Sequence, residues 1–258
     1  MGFHIIVCVK AVIVETSHGR VIRSPDQLAL NPFDRPALEA ALRMKEERGG
    51  RVTALSMGPA ACAFVLYETM AMGVDRSVLL CDPALAGSDT LATSTALAAA
   101  IKKLAPFDLV LFGTRTTDSD TGQVGPQTAV LLDLPLVTWA HSVEHEGSGL
   151  RIDRRADGFQ EEFALSLPGA LTIHPASAQP RDIGLLGIEA AFEQGKVEEW
   201  GLEDLGLSRD QVGEAGSRTS VLSLTPVARE RKCEFISGTA EEQAEELITR
   251  LKESGLIG

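Results

Sequence analysis

The feature that most limits what this chain can become is an alternation. Short, unbroken apolar runs rich in β-branched residues take turns with stretches of helical periodicity through the first two-thirds of the sequence. Ile5-Ile6-Val7-Cys8-Val9 opens the pattern. A run without polar alternate positions suits a strand buried on both faces, as in a parallel sheet. Residues 12–22 read as an irregular excursion or hairpin turning at Ser17-His18-Gly19. Asn31-Pro32-Phe33-Asp34 then opens a helix. Asn31 can cap, Pro32 suits the first helical position and Asp34 sits where a capping box places an acid; a start at Asp34 keeps Pro36 in the first turn. Leu38, Ala41, Leu42 and Lys45 hold the helical spacing to about Arg48, and Gly49-Gly50 stops it.

The unit recurs. A strand over 51–57 leads through Gly58-Pro59 to a helix over 60–72, and a strand over 77–81 to a helix over about 91–104 capped at Ser88-Asp89-Thr90. A strand over 108–113, a polar loop and a helix over about 126–132 complete the series. Four strand–helix units in succession predict an α/β fold, a doubly wound and mostly parallel sheet covered on both faces. After Leu134-Pro135 the texture changes: residues 142–150 and 151–167 read as one strand pair turning near Glu146-Gly147-Ser148-Gly149, and Leu171 to His174 as a further sheet strand. From about Gln179 the rhythm is lost. Residues 193–220 are acidic and Gly-punctuated with no clear core stripe, and a capped amphipathic helix carrying Ala244, Leu247, Ile248 and Leu251 ends the chain. A main domain over 1–190 and an extended C-terminal arm over 191–258 are expected.

Composition removes several function classes. A net charge of −12 over 258 residues repels phosphate backbones, so nucleic acid is not an expected partner. No apolar run reaches the ~18 residues needed to span a bilayer, so membrane insertion is not expected. Aromatic residues make up 5%, too few for a stacking platform. Cys8, Cys62, Cys81 and Cys233 form no Cys-x-x-Cys pair. With no secretory leader at Met1-Gly2-Phe3-His4, they read as thiols in a reducing cytoplasm. His4, His18, His141, His145 and His174 show no metal-binding spacing. No hydrolytic triad or P-loop is present, and no catalytic side chain is assigned.

The loop after the fourth strand–helix unit's strand, Gly113-Thr114-Arg115-Thr116-Thr117-Asp118-Ser119-Asp120-Thr121-Gly122-Gln123-Val124-Gly125, is longer than the ~2–6 residues usual for such connections. It lies at the carboxyl edge of a parallel sheet, where ligands bind, and runs into a helix start. Gly113, Gly122 and Gly125 let backbone approach a ligand. Consecutive amides at a helix N-terminus make an anion site without a basic residue, which suits a phosphate or pyrophosphate. Cys8, Met57 and Asn31 to Asp34 converge on the same edge and can enclose an adenine and ribose. Each also has a plainer reading: Cys8 as a small buried hydrophobe, Met57 as core, Asn31-Pro32 as a cap.

These stretches resemble the β subunit of electron transfer flavoproteins over nearly the whole chain. The resemblance rests on Val7-Cys8-Val9-Lys10, on Asn31-Pro32-Phe33-Asp34 followed by Ala37 to Arg43, on Met57-Gly58-Pro59-Ala60, on Ala71-Met72-Gly73-Val74-Asp75-Arg76 and on Asp118 to Gly125. It implies a Rossmann-like, adenine nucleotide alpha-hydrolase-like domain paired with a FAD-bearing α subunit that the C-terminal arm embraces. It also implies electrons arriving from an acyl-CoA or other dehydrogenase, or from NADH, and leaving to a redox partner such as ferredoxin. Nucleotide contacts are implied at Cys8, Asn31, Pro32, Phe33, Asp34 and Met57, and at Gly113, Asp118, Asp120, Thr121, Gly122, Gln123, Val124 and Gly125. A partner-recognition loop following Pro180-Arg181 is implied at Leu185, with Leu186 beside it. The stretches Ser88 to Ser94 and Asp120 to Pro126 look more like the electron-bifurcating members, which hold a FAD in this subunit where others hold AMP. For them Asp89, Thr90 and Thr93 are implied as a second diphosphate contact. Ala11-Val12-Ile13, Arg35-Pro36 and Asp157-Gly158-Phe159 depart from the family pattern. A non-bifurcating AMP-binding subunit and a universal-stress-type nucleotide sensor stand as alternatives. An adenylating enzyme does not, because Lys10-Ala11-Val12 is no pyrophosphate loop.

Overall fold

The computed structural model describes residues 2–13, 27–223 and 233–257. The turn expected at Ser17-His18-Gly19 lies outside them. By internal contacts the chain divides into Met1–Val221 and Leu222–Gly258.

The larger unit begins with β1 (Phe3–Cys8), then β2 (Ala11–Ile13) and β3 (Leu28–Leu30), which pair antiparallel as a small separate ribbon. The repeating units follow: α1 (Arg35–Arg48) with β4 (Gly50–Met57), α2 (Ala63–Met72) with β5 (Arg76–Leu80), α3 (Thr90–Lys103) with β6 (Leu109–Gly113), and α4 (Val124–Leu131). Then come β7 (Leu136–Glu146), β8 (Gly149–Ala156), β9 (Phe159–Leu165), β10 (Gly169–Ile173), α5 (Leu185–Glu193), β11 (Val197–Trp200), α6 (Leu202–Leu205) and α7 (Gly213–Gly216). One nine-stranded sheet has the order β11-β5-β4-β1-β6-β10-β7-β8-β9. Every neighbouring pair from β11 to β7 is parallel, and β8 and β9 extend the sheet antiparallel.

The expected class is what forms, and the reason is visible in the two cores. Alternate positions of β1 feed opposite faces: Ile5 and Val7 pack with Leu38, Ala41, Leu42, Val65 and Leu66 of α1 and α2, while Ile6 and Cys8 pack with Ala96, Leu97, Ala100, Ile101 and Ala129 of α3 and α4. A strand needed by both faces has no polar alternate to spare. Local signals set the helix ends. The Asp89 side chain accepts from the Ala92 amide as the cap of α3, and Gly73 closes α2 in the left-handed region at φ 118°.

Two expectations are corrected. The pair expected over 142–167 is a three-stranded meander, because Asp157 (φ 52°) and Gly158 (φ 80°) make a second tight turn. Two consecutive left-handed residues are what a two-residue hairpin turn needs, and Asp-Gly supplies them. The stretch read as lacking a core stripe contributes β11, paired to β5, and buries Trp200, Leu205 and Val212 against α3 and its neighbours. An edge strand covered on one side needs only one apolar position in two, and here Glu198 uses its outward position to bind Arg76 at 2.8 Å.

The topology sets where a ligand can go. From β1 the chain winds outward through β4 and β5, then returns to place β6 on the other side of β1. The winding reverses between β1 and β6, and in open α/β sheets the crevice that takes ligands lies at the carboxyl edge of such a switch point.

Candidate functional site

Three connections leave that crevice's rim: the residues after β1, the turn before α1 and the loop after β6. A single buried carboxylate ties them together. Asp34, 4% exposed, accepts the Lys10 amide at 2.8 Å and Asn31 Nδ2 at 2.9 Å, and the Gly113 amide also donates to it. Asn31 Nδ2 donates further to the Arg115 carbonyl at 2.9 Å, and the Asn31 amide to the Lys10 carbonyl at 3.0 Å. Asn31 and Asp34 are therefore more than a helix start. The Asp34 side chain makes no cap bond to α1; it spends its oxygens on β1, β6 and its own turn. Burial pushes its carboxyl up to about 7 despite those three donors and the nearby Lys10 charge. Burial, then the neighbouring Asp34 charge, pushes the Cys8 thiol far up as well, which makes Cys8 an inert apolar wall.

The loop after β6 closes over this hub. Gly113 has to be glycine: a Cβ there would stand 2.2 Å from Asp34 Oδ1 and 2.6 Å from the Phe33 carbonyl. Lys10 Nζ bonds Asp118 Oδ1 at 2.8 Å and Ser119 Oγ at 3.3 Å. Those bonds hold the Asp118 carboxyl below its usual range against the opposing effect of burial. Gly122 turns at φ 61°, beside the Thr114 carbonyl. Val124 and Gly125 begin α4, with Gly125 packed on Phe112 and Thr172. Asp120, Thr121 and Gln123 are exposed, and Met57 lies partly buried at the end of β4.

Among the described residues, the side-chain atoms buried with no hydrogen-bond partner include Asn31 Oδ1, Ser56 Oγ and Thr114 Oγ1 on these strand ends and turns. Asn31 and Ser56 are fully buried. A buried polar atom left unpaired costs about 1–3 kcal/mol, so each of the three is a group that a bound donor or acceptor would satisfy. Thr114 belongs to the loop singled out from the sequence and Ser56 to the strand end that runs into Met57, but neither was assigned a role of its own. The only sign of them was their position at the carboxyl ends of the second and fourth apolar strands.

The N-terminus of α3 is arranged differently. Asp89 Oδ1 accepts from the Ala92 amide at 2.9 Å, and Oδ2 from the Arg218 and Thr219 amides at 2.7 and 3.0 Å. Thr90 and Thr93 are partly buried on the first turn, where the Thr93 amide donates to the Asp89 carbonyl at 2.9 Å. Leu185 and Leu186 lie elsewhere, 84% and 81% exposed. They form the first turn of α5, where a loop was expected. The preceding segment is fixed by Arg181, which bonds Glu39 Oε2 at 2.8 Å and Glu46 Oε1 at 2.6 Å. Among the described residues, no group of three or more His, Cys, Asp or Glu could hold a metal ion, and no helix is long and apolar enough to cross a membrane.

Comparison with known proteins fits this geometry. The family described as electron transfer flavoprotein domain matches residues 19–205. The electron transfer flavoprotein subunit beta of Thermoanaerobacterium thermosaccharolyticum is 38% identical over 237 residues, covering 92% of this chain and 91% of that protein. The caffeyl-CoA reductase-Etf complex subunit CarD of Acetobacterium woodii is 39% identical over 98% of this chain and 99% of its own length. The acryloyl-CoA reductase electron transfer subunit gamma of Anaerotignum propionicum is 33% identical over 98% of this chain and all of its own. These similarities favour electron transfer over the stress-sensor alternative.

Proposed function

The chain belongs to the electron transfer flavoprotein family, as a β subunit, and on that premise we propose that it holds a FAD in the crevice between β1 and β6 and works as half of a heterodimer with an α subunit. Electrons enter from an acyl-CoA or other dehydrogenase, or from NADH, and leave to one or two acceptors, ferredoxin among them. FAD, when bound, supplies the redox chemistry by taking up an electron pair and passing it on. This chain's residues bind and orient it. The turn from Asn31 to Asp34, with Cys8 and Met57, walls an adenine and ribose. The amides at Gly122 to Gly125 and the start of α4 take phosphate oxygens, with hydroxyls from Thr114 and Thr121 beside them. Asp118, held by Lys10, and Asp120 stand where ribose hydroxyls need acceptors. Leu185 and Leu186 offer an apolar anchor to the dehydrogenase.

The observation that carries this reading is the trio of unpaired buried atoms, Asn31 Oδ1, Ser56 Oγ and Thr114 Oγ1, around a glycine-lined loop. A second reading, AMP in place of FAD, is favoured by Asp89. Its carboxylate is already taken by the backbone amides at 92, 218 and 219 and by the Thr219 hydroxyl, which fills its acceptor positions and leaves none for a longer ligand. The heterodimer, co-expressed with its α subunit, is denatured and the released nucleotides identified. Two FAD per heterodimer supports the first reading, and one FAD with one AMP the second. A preparation with one FAD and no second adenylate removes the site from this chain.

A further inference from the structure

The mouth of the crevice carries two cations, and they are committed differently. Lys10 is bonded to Asp118 at 2.8 Å. Arg115 is not so engaged: its Nη1 stands 3.5 Å from Asp120 Oδ1, with the two side chains 47% and 61% exposed. That distance is beyond a good N–H···O bond, and so exposed a pair exchanges readily with another anion. What fixes Arg115 is the turn before α1. Its guanidinium carbon lies over the Phe33 ring, 4.6 Å from the centroid, and its carbonyl accepts from Asn31 Nδ2 at 2.9 Å. Both ends of the residue are thus tethered while its N–H donors stay at the mouth.

The same loop brings a second anion-binding element alongside. Thr114, next to Arg115, is 6% exposed with an unpartnered Oγ1. A Cβ on Gly122 would stand only 3.1 Å from the Thr114 carbonyl, and two residues past Gly122 the open amides of α4 begin. The two arms of one loop therefore carry a guanidinium and a helix start, brought close where Gly122 meets the Thr114 carbonyl. Arg115 thus adds a basic side chain to the amides expected to hold an anion.

We propose that Arg115 is the residue that selects a diphosphate over a monophosphate in this subunit. One phosphate satisfies the amides at the start of α4; the second takes the guanidinium from Asp120, as a planar fork suited to phosphate oxygens does. The assignment rests on the nucleotide reading above and deepens it, because it makes the choice between FAD and AMP a property of one side chain.

The full-length chain, freed of nucleotide, is titrated with ADP and with AMP by calorimetry. Wild type is expected to bind ADP about 10-fold or more tighter than AMP. Arg115→Ala loses about 10- to 100-fold of its ADP affinity and keeps AMP within about threefold. Arg115→Lys, which keeps the charge without the fork, recovers part of the loss. An unchanged ratio of ADP to AMP affinity in Arg115→Ala overturns the assignment. So does an equal loss of both ligands, which marks a structural role. If wild type binds neither nucleotide while circular dichroism shows it folded, the nucleotide reading itself fails and the selectivity falls with it.

Discussion

The two edges of the sheet are built from the same kinds of residue and finished in opposite ways. At the amino edge the buried His4 is fully engaged: Nδ1 with the Pro106 carbonyl at 2.8 Å, Nε2 with Thr53 Oγ1 at 2.9 Å, and its amide donating to Asp108 Oδ2 at 2.8 Å. At the carboxyl edge Asn31 Oδ1, Ser56 Oγ and Thr114 Oγ1 have no partner, and Asp34 is a carboxylate with neutral donors only. One edge is closed by its own side chains, while the other leaves these polar atoms unpaired. Their responses to pH are opposite. Burial lowers the His4 pKa, so His4 withdraws stability as pH falls below the ordinary histidine value. The Asp34 pKa is raised to about 7 from 3.8, so Asp34 contributes fully at acid pH and its cost grows as pH rises to 7, levelling off above it.

The largest expected effect uses that difference. The shift at Asp34 corresponds to about 4 kcal/mol once the group is ionised in both states. Urea unfolding of the nucleotide-free chain is expected to lose about 3 kcal/mol between pH 5 and pH 8 from this group, and Asp34→Asn to lack that slope. Parallel pH profiles for the two proteins would mean that Asp34 is ionised and stabilised by something the crevice does not show. Next in size is Gly113→Ala. Its Cβ meets Asp34 Oδ1 and the Phe33 carbonyl well inside contact distance, so the hub has to move. A cost of about 3 kcal/mol is expected, seen as a melting point roughly 6–12 °C lower, together with loss of bound nucleotide.

These two residues also show what was legible beforehand. Gly113 and Asp34 both stood out in the sequence, the one as a glycine at the end of an apolar strand where backbone can be approached closely and the other as an acid near a helix start. Their union was not legible, because the hydrogen bonds that tie the residues after β1, the turn before α1 and the loop after β6 span up to 109 positions, and no local period records such a contact. The same limit explains the rest. Strands buried on both faces announce themselves as apolar runs, so β1, β4, β5 and β6 were readable almost to the residue. β11 was not, since an edge strand with Glu198 and Glu199 looks like an acidic loop until β5 pairs with it. Asp89 read correctly as a cap, but the Arg218 and Thr219 amides that take its second oxygen arrive from a stretch with no pattern of its own.

The smallest effect is the sharpest test of the contrast, because it compares two hydroxyls on one strand. Thr53 and Ser56 are both fully buried on β4. Thr53 satisfies His4 at the amino edge, whereas Ser56 lacks a partner at the carboxyl edge. Thr53→Val keeps the shape and strands the His4 nitrogen, so it is expected to cost about 2 kcal/mol in the nucleotide-free chain. Ser56→Ala removes an atom that was already unpaired, so stability is expected to change by less than about 1 kcal/mol, in the stabilising direction if at all. Its effect should appear in binding instead, as about a 3- to 10-fold loss of adenine-nucleotide affinity from one missing hydrogen bond. Denaturant midpoints and calorimetric titration of the two variants read both quantities. If Ser56→Ala destabilised the free chain as much as Thr53→Val and left nucleotide affinity unchanged, the carboxyl edge would be as closed as the amino edge, because the hydroxyl would then be serving the fold and not a ligand.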